Sequence, residues 1–468
     1  MKLEPIRITA APWLTQGRGG RFNPLSAIAR RRDETPRLGC GSRARLDRMY
    51  GRRPHRRMLD AFATICVGLA FLAQSGCVSI TRTPVPADLA DIVQPLGTPG
   101  LREWGDALTP AEVDRLLETA GPLLRERFGR EVAAGRTPQV DYLALSGGGQ
   151  WGAFGAGLLA AWTESGTRPE FQGVAGVSTG AIIAPFAFLG PEYDDMLKEF
   201  YSAYTTDDLL ESTVVTGLIA GTALADTTPL ARLIEKYITA ELLDRIAEEH
   251  RRGRELSIGT TNLDAGRPVI WNIGEIANSG HPGALKLVQE LIRASAAIPV
   301  AFPPMFVDVE GPDGRVYDEM HVDGGASSQV TFISPQVPIA EATRRILGRD
   351  LDRRVWVVVN NDLAPPHSTV RARLPAIGFA AVSSLIRGSG TGDVYRLYAI
   401  AQRDKVDFNV TWIPPEIPCP DPDEQFDPSF MSCLYEFAGD YFRTGEAWRD
   451  APPFFATGLP DASQTSKR

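Results

Sequence analysis

The sequence predicts an α/β fold, a central and mostly parallel sheet flanked by helices. Three observations predict it. Between residues 140 and 189 the pattern runs strand, glycine loop, helix, strand, serine turn, helix, the alternation that parallel strands joined by right-handed crossovers require. Further on, residues 355–359 read Val-Trp-Val-Val-Val, a continuous apolar run of the kind a strand shows when both its faces are covered. Composition agrees: with 43% hydrophobic and 23% charged residues, 468 residues suffice for a large core and exclude disorder of the whole chain.

Net charge is -8 but unevenly spread, because residues 1–57 carry 15 Lys+Arg against 4 Asp+Glu, leaving 34 against 53 for the rest. The body is acidic and offers no basic face for nucleic acid. The basic head leads into residues 58–73, MLDAFATICVGLAFLA, too short for a comfortable membrane span and built like the core of a secretory signal. It ends at Gln74-Ser75-Gly76-Cys77, which resembles a bacterial lipoprotein box in which Cys77 is lipidated and becomes the mature N-terminus. Gln74 stands where that pattern prefers an aliphatic residue, so ordinary signal-peptidase cleavage stays open, as does a short anchoring helix. A start at Met49 gives the signal a charged region of normal length, and residues 1–48 are therefore expected to be untranslated.

After Cys77, residues 78–108 are rich in Pro, Thr and Gly and read as a tether. Thr109-Pro110-Ala111-Glu112 has the form of a capping box and opens an amphipathic helix with Val113, Leu116, Leu117 and Leu124 on one side. Strands are expected at 140–145 and 171–177, with helices at 152–163 and 180–189. Helical stretches follow at 229–237 and 241–250, then a strand pair at 255–262 and 268–273 and a helix at 284–297. A hairpin is expected from 306–309 and 316–322 around Gly311-Pro312-Asp313-Gly314, with Asp323-Gly324-Gly325 directly after it. Residues 377–385 and 394–403 read as helices. Residues 414–428 form a proline-rich acidic loop; Cys419 within it and Cys433 beyond it flank its Pro/Asp-rich part and would pair as a disulfide in an oxidising compartment or remain two surface thiols.

The chemistry begins at Gly176-Val177-Ser178-Thr179-Gly180. Glycines two before and two after a serine suit a sharp strand-to-helix turn that pushes Ser178 Oγ into the open, a nucleophile elbow; a plain Gly/Ser turn is the alternative. Upstream lies Ser146-Gly147-Gly148-Gly149-Gln150-Trp151-Gly152. As Gly147-x-Gly149-x-x-Gly152 it matches a dinucleotide fingerprint, but the next strand ends at Val177-Ser178-Thr179 without the carboxylate that would hold a ribose. As an oxyanion hole, its uncovered amides at a helix N-terminus fit acyl transfer, and Ser178 follows Gly148 by one strand-helix-strand unit. The serine needs a base. Asp323, on a tight turn before Gly324-Gly325, is the better candidate; His321 would share its strand face, His367 is the histidine downstream of a candidate acid, and His250 and His281 are expected in solvent.

Gly147-Gly148-Gly149-x-x-Gly152, Gly176-x-Ser178-x-Gly180 and Asp323-Gly324-Gly325, in that order, resemble the patatin-like phospholipase family, as does Ala294-Ser295-Ala296-Ala297-Ile298-Pro299 with Phe302-Pro303-Pro304. The resemblance covers about residues 139–359. It implies a three-layer α/β/α sandwich and hydrolysis of lipid acyl esters by a Ser178-Asp323 dyad without histidine, cofactor or metal. It also assigns the oxyanion hole to Gly147, Gly148, Gly149 and Gly152. Trp151 stands where many members place Arg or Lys, which leaves the backbone donors intact and weakens the case for an anionic head group.

The expected organisation is 1–76 lead and signal, 77–136 tether and packing helix, 137–365 catalytic domain and 366–468 C-terminal extension. The expected protein is an exported lipid acyl hydrolase of the bacterial envelope, an outer-membrane lipoprotein or periplasmic, that meets a lipid or phospholipid substrate at a membrane surface. Three other readings stand beside it: a non-catalytic envelope lipoprotein that binds lipid, a Ser-Asp-His esterase using His367, and a dehydrogenase.

Overall fold

Strands β1 (Gln94–Pro95), β2 (Arg102–Trp104), β3 (Gln139–Leu145), β4 (Phe171–Val177), β5 (Glu255–Asn262), β6 (Arg267–Asn272), β7 (Met305–Glu310), β8 (Val316–Asp323), β9 (Asp352–Asp362) and β10 (Asp407–Ile413) form the main sheet of the computed structural model. The structure describes residues 81–455 apart from 213–224, 333, 364–366, 368, 423 and 454. Cys77 and the expected signal segment lie outside the described residues.

The strand order is β1-β7-β8-β5-β4-β3-β9-β10, with β6 on β5 and β2 on β6. From β5 through β4, β3 and β9 to β10 every pairing is parallel, whereas β1, β2, β6, β7 and β8 attach antiparallel. The sheet is thus mixed: the sequence foresaw the parallel half, while the hairpin strands add the antiparallel half.

Alternation along each strand sorts the core into two faces. Leu143, Leu145, Val174, Ile258 and Val358 join one apolar cluster; Ala144, Val355, Val357, Val359 and Val410 join another. The first face is covered by α2 (Gly152–Glu164), α3 (Thr179–Leu189), α7 (Ala284–Ser295) and α9 (Pro428–Arg443), all of which contribute to its cluster. The second is covered by the latter part of α8 (Leu374–Asp404) through Val394, Leu397 and Ala401. Other helices include α1 (Pro110–Ala133), α4 (Asp194–Ser202), α5 (Thr228–Tyr237) and α6 (Ala240–Arg251). α1 starts at the expected capping box: the Glu112 N–H donates to Thr109 Oγ1 at 3.3 Å and the Thr109 N–H to Glu112 Oε2 at 2.6 Å.

Two segments do more than the sequence suggested. Part of the expected tether is built into the sheet, since β1 and β2 satisfy their backbone groups against β7 and β6. The residues expected as a C-terminal extension supply β10 to the parallel half, and α9 packs on α2. Apolar strand edges left bare would cost both hydrogen bonds and burial, and β10 with α9 covers them. Among the described residues no helix is long and apolar enough to cross a membrane.

Candidate active site

Two strands that approach from opposite directions end on the same edge of β5. β6 occupies one edge of that strand, pairing Ser257 with Asn272 through Asn262 with Arg267. The other edge is shared: β4 runs parallel to it and stops with Val177 opposite Gly259, while β8 runs antiparallel and stops with Asp323 opposite Thr260. The residue after Val177 therefore meets the last residue of β8. Ser178 Oγ donates to Asp323 Oδ2 at 2.6 Å, across 145 residues of sequence.

Ser178 sits at φ 55° and ψ -123°, a conformation that a side chain makes costly by about 1–3 kcal/mol and that persists only where the surroundings over-determine it. They do so by close approach. A Cβ on Gly176 would lie 2.2 Å from Gly180 O, and one on Gly180 would lie 2.4 Å from Leu145 O, so both flanking glycines of the elbow are required. The Ala294–Ala297 block clamps both members of the pair: the Ser178 N–H donates to Ser295 Oγ at 2.8 Å, Ser295 Oγ donates to Gly259 O at 2.6 Å, and the Asp323 N–H donates to Ala297 O at 2.9 Å.

Asp323 Oδ1 accepts from the Gly325 N–H at 2.7 Å. Burial pushes the carboxyl up to about 6, opposed by the hydrogen bonds from Ser178 and Gly325, which favour the charged form. Such a group holds a proton weakly near neutral pH and can take one from a neighbouring hydroxyl.

The glycine loop is pinned by the end of β9. The Asn360 N–H donates to Ser146 Oγ at 2.8 Å and Asn361 Nδ2 to Gly147 O at 3.0 Å. A Cβ on Gly148 would come within 1.9 Å of Asn360 O, so only glycine fits. The four glycines are not equivalent as donors. The Gly147 N–H is taken by Gln329 O at 3.2 Å, and the Gly152 N–H bonds within its own turn to Gln150 O and Gly149 O. The Gly148 and Gly149 amides are taken by no protein group among the described residues. The expected set of four donors is thereby narrowed to two.

Ser178, Gly149, Ile298, Phe302 and Phe426 are common to two adjoining spaces. One is an apolar cavity of about 30 Å³ walled by Ile182, Leu209 and Leu230. The other is a cleft of about 220 Å³ that also contains Asp323, Gln329 and Arg387. Trp151 lines this cleft and packs edge-on against Phe430 with ring centroids 4.9 Å apart, so it serves both packing and the site.

The described histidines stand elsewhere. His321 is buried beside Trp271, with Nδ1 3.0 Å from Thr260 Oγ1 and Nε2 3.2 Å from Glu319 Oε2. Burial holds its imidazole below the usual value, with Glu319 opposing. His250, expected in solvent, is buried and 2.7 Å from Glu275 Oε2, because α6 packs its inner face against the helix at 273–278. His281 and His367 are exposed.

Sequence reasoning missed three contributors. Ser295 lay in a quoted block without a role. Gln329 has a buried Oε1 with no hydrogen-bond partner among the described residues, and its N–H donates to Asp393 Oδ2 of α8 at 2.6 Å. Phe426, at φ 59°, enters the site from the loop that the Cys419–Cys433 disulfide closes, with Cα atoms 5.7 Å apart. The proline-rich loop and flanking cysteines were visible in sequence, but not their destination. Among the described residues no group of three or more His, Cys, Asp or Glu is placed to hold a metal ion.

No curated protein matches this sequence. Among solved structures, VipD from Legionella pneumophila aligns over 66% of this chain and 67% of its own at 13% identity, TM-score 0.34. Human GIVD cytosolic phospholipase A2 aligns over 74% and 65% at 11% identity, TM-score 0.30. The SpcU complex with ExoU from the type III secretion system of Pseudomonas aeruginosa aligns over 67% and 54% at 14% identity, TM-score 0.24. The chain thus spans about two-thirds or less of the length of these structures. The family model described as patatin-like phospholipase matches residues 143–338, which contain the glycine loop, Ser178 and Asp323. Residues 143–338 of this chain are a patatin-like phospholipase domain.

Proposed function

We propose that the protein is a serine acyl hydrolase that cleaves carboxylic esters of lipids through the Ser178-Asp323 pair. The observation that carries this reading is the 2.6 Å hydrogen bond from Ser178 Oγ to Asp323 Oδ2 at a strained elbow that borders both the apolar cavity and the larger cleft. Ser178 Oγ attacks the acyl carbonyl while its proton passes to Asp323 Oδ2. The Gly148 and Gly149 amides receive the oxyanion, where fixed dipoles in a water-poor site act more strongly than in bulk solvent. Collapse of the tetrahedral intermediate breaks the ester C–O bond, and the leaving alcohol takes the proton from Asp323. Water then attacks the acyl-serine, giving a proton to Asp323, and Ser178 recovers that proton as the fatty acid leaves. Ile298, Phe302 and Phe426, which border both spaces beside Ser178, hold the first carbons of the acyl chain.

The site is proposed to work outside the cytoplasm, in the envelope of a bacterium, with Cys77 as a lipid anchor; the apolar segment and box-like motif at 58–77 support this, as does the Cys419–Cys433 disulfide. Labelling with a fluorophosphonate tests the chemistry. The expected result is an adduct on Ser178 and ester turnover that falls at least about 1,000-fold in Ser178→Ala and Asp323→Asn. A folded protein that forms no adduct and turns over no lipid ester would identify a binding module instead, and full activity in Asp323→Asn would refute the dyad.

A further inference from the structure

We propose that the first half of α8 is a docking surface for an anionic lipid bilayer, which brings a lipid substrate to the cleft beneath it; the proposal rests on the acyl hydrolase reading above. The helix uses two opposite faces. At about 100° per residue, Phe379, Ser383, Ile386 and Arg387 fall on one side, the side that lines the cleft with Ser178 and Asp323. Leu374, Ile377 and Leu385 fall on the other, and they are 84%, 51% and 73% exposed. A surface helix ordinarily turns one apolar stripe inward and a polar face to water. Here the inner face lines the cleft, and the outer apolar stripe is covered by none of the described residues. None of the described residues from 374 to 389 is buried; burial begins at Gly390, just before Asp393 ties the helix to the 328–330 loop.

Charge identifies the occupant. Between Asp362 and Asp393 the sequence has no Asp or Glu but has Arg371 and Arg373 just before the stripe and Arg387 on the cleft side, in a chain of net charge -8. A stripe of exposed leucine and isoleucine flanked by arginines is what an interfacial helix presents to acyl chains and anionic head groups. Position agrees with charge, because the opposite face of the same helix lines the cleft, so a bilayer seated on the outer stripe lies one helix diameter, ~10 Å, from the space beside Ser178.

The test uses residues 75–468, which contain every described element, with Cys77→Ala so that no acyl anchor contributes and Ser178→Ala so that no turnover does. Co-sedimentation with vesicles of phosphatidylglycerol and phosphatidylcholine is expected to be at least about 10-fold tighter than with phosphatidylcholine alone. Leu374→Ser/Ile377→Ser/Leu385→Ser is expected to lower binding to both, by about 10-fold or more, and Arg371→Glu/Arg373→Glu to remove the preference for anionic vesicles. With Ser178 restored, the triple variant should hydrolyse vesicle lipid about 10-fold more slowly yet cleave a soluble p-nitrophenyl butyrate within about twofold of the parent. Unchanged vesicle binding by the triple variant overturns the proposal. So does a dimer, seen by light scattering, that the triple variant dissociates, since the occupant would then be a second copy. Vesicle binding lost in the triple variant, with no ester turnover by any form, would support docking and count against the hydrolase reading alone.

Discussion

The strand junction that holds Ser178 and the outer half of α8 stand on either side of one cleft, and they are specified in opposite ways. At the junction the backbone of each member is tied to the same segment, Ser178 to Ser295 and Asp323 to Ala297, and Gly176, Gly180 and Gly324 stand where another backbone segment approaches too closely for a Cβ. In α8 none of the described residues before Gly390 is buried. Contacts within the fold hold the first region in place, whereas Leu374, Ile377 and Leu385 are exposed among the described residues.

The sharpest way to break the junction is a single methyl group. Gly148→Ala places a Cβ against the Asn360 carbonyl, backbone against backbone, where no rotamer change gives relief. The expected outcome is a loss of at least about 100-fold in kcat, with about 3 kcal/mol of destabilisation in chemical denaturation.

Asp323 offers a test in which stability and activity move apart. Its folded-state pKa, raised to about 6 by burial, means the folded protein holds this proton more tightly than the unfolded chain. The stability so contributed is fully present below about pH 4 and is lost as pH rises through about 6. Asp323→Asn removes a buried charge and is expected to be the more stable protein at pH 8, by on the order of 3 kcal/mol, with the difference gone at pH 3. In the parent, kcat/KM should rise with pH and level off above about 6, because Asp323 acts as a base only when unprotonated. A flat profile between pH 5 and 8 would remove Asp323 from that role.

The two halves of α8 give the smallest and most direct contrast. Val394 is fully buried in the core, and Val394→Ala is expected to cost about 2 kcal/mol. Leu385→Ala, at an exposed position, should stay within about 0.5 kcal/mol of the parent. Equal costs in thermal melts would mean that the outer half is packed after all.

The parts of the site that were legible in sequence are those whose chemistry is local. A glycine run before a helix, a serine between glycines and an aspartate before diglycine each announce a backbone conformation and an exposed functional group within about five residues. The strands around them were legible for the same reason, as apolar runs of strand length. What lay far apart was not. Nothing about Ser295 says that its hydroxyl will bridge the Ser178 amide and the Gly259 carbonyl, and Phe426 reads only as an aromatic in a proline-rich loop. His250 was misplaced because a histidine at a helix end looks solvated until a neighbouring helix brings Glu275 to it. The tether was misread because two- and three-residue edge strands carry no periodicity of their own.

By itself the sequence determined the candidate nucleophile, its flanking glycines, the candidate base and the parallel half of the sheet, because each depends on residue type and short spacing. Only the tertiary structure decided that β4 and β8 end on one edge of β5, which places Ser178 Oγ 2.6 Å from Asp323 Oδ2, and that two of the four glycine amides are taken by no group among the described residues. It also decided which face of α8 the cleft uses and which is exposed among the described residues. The physical reason is the same in each case: hydrogen-bond pairing and burial are settled between segments far apart in sequence, and a residue's partners are not written in its neighbours.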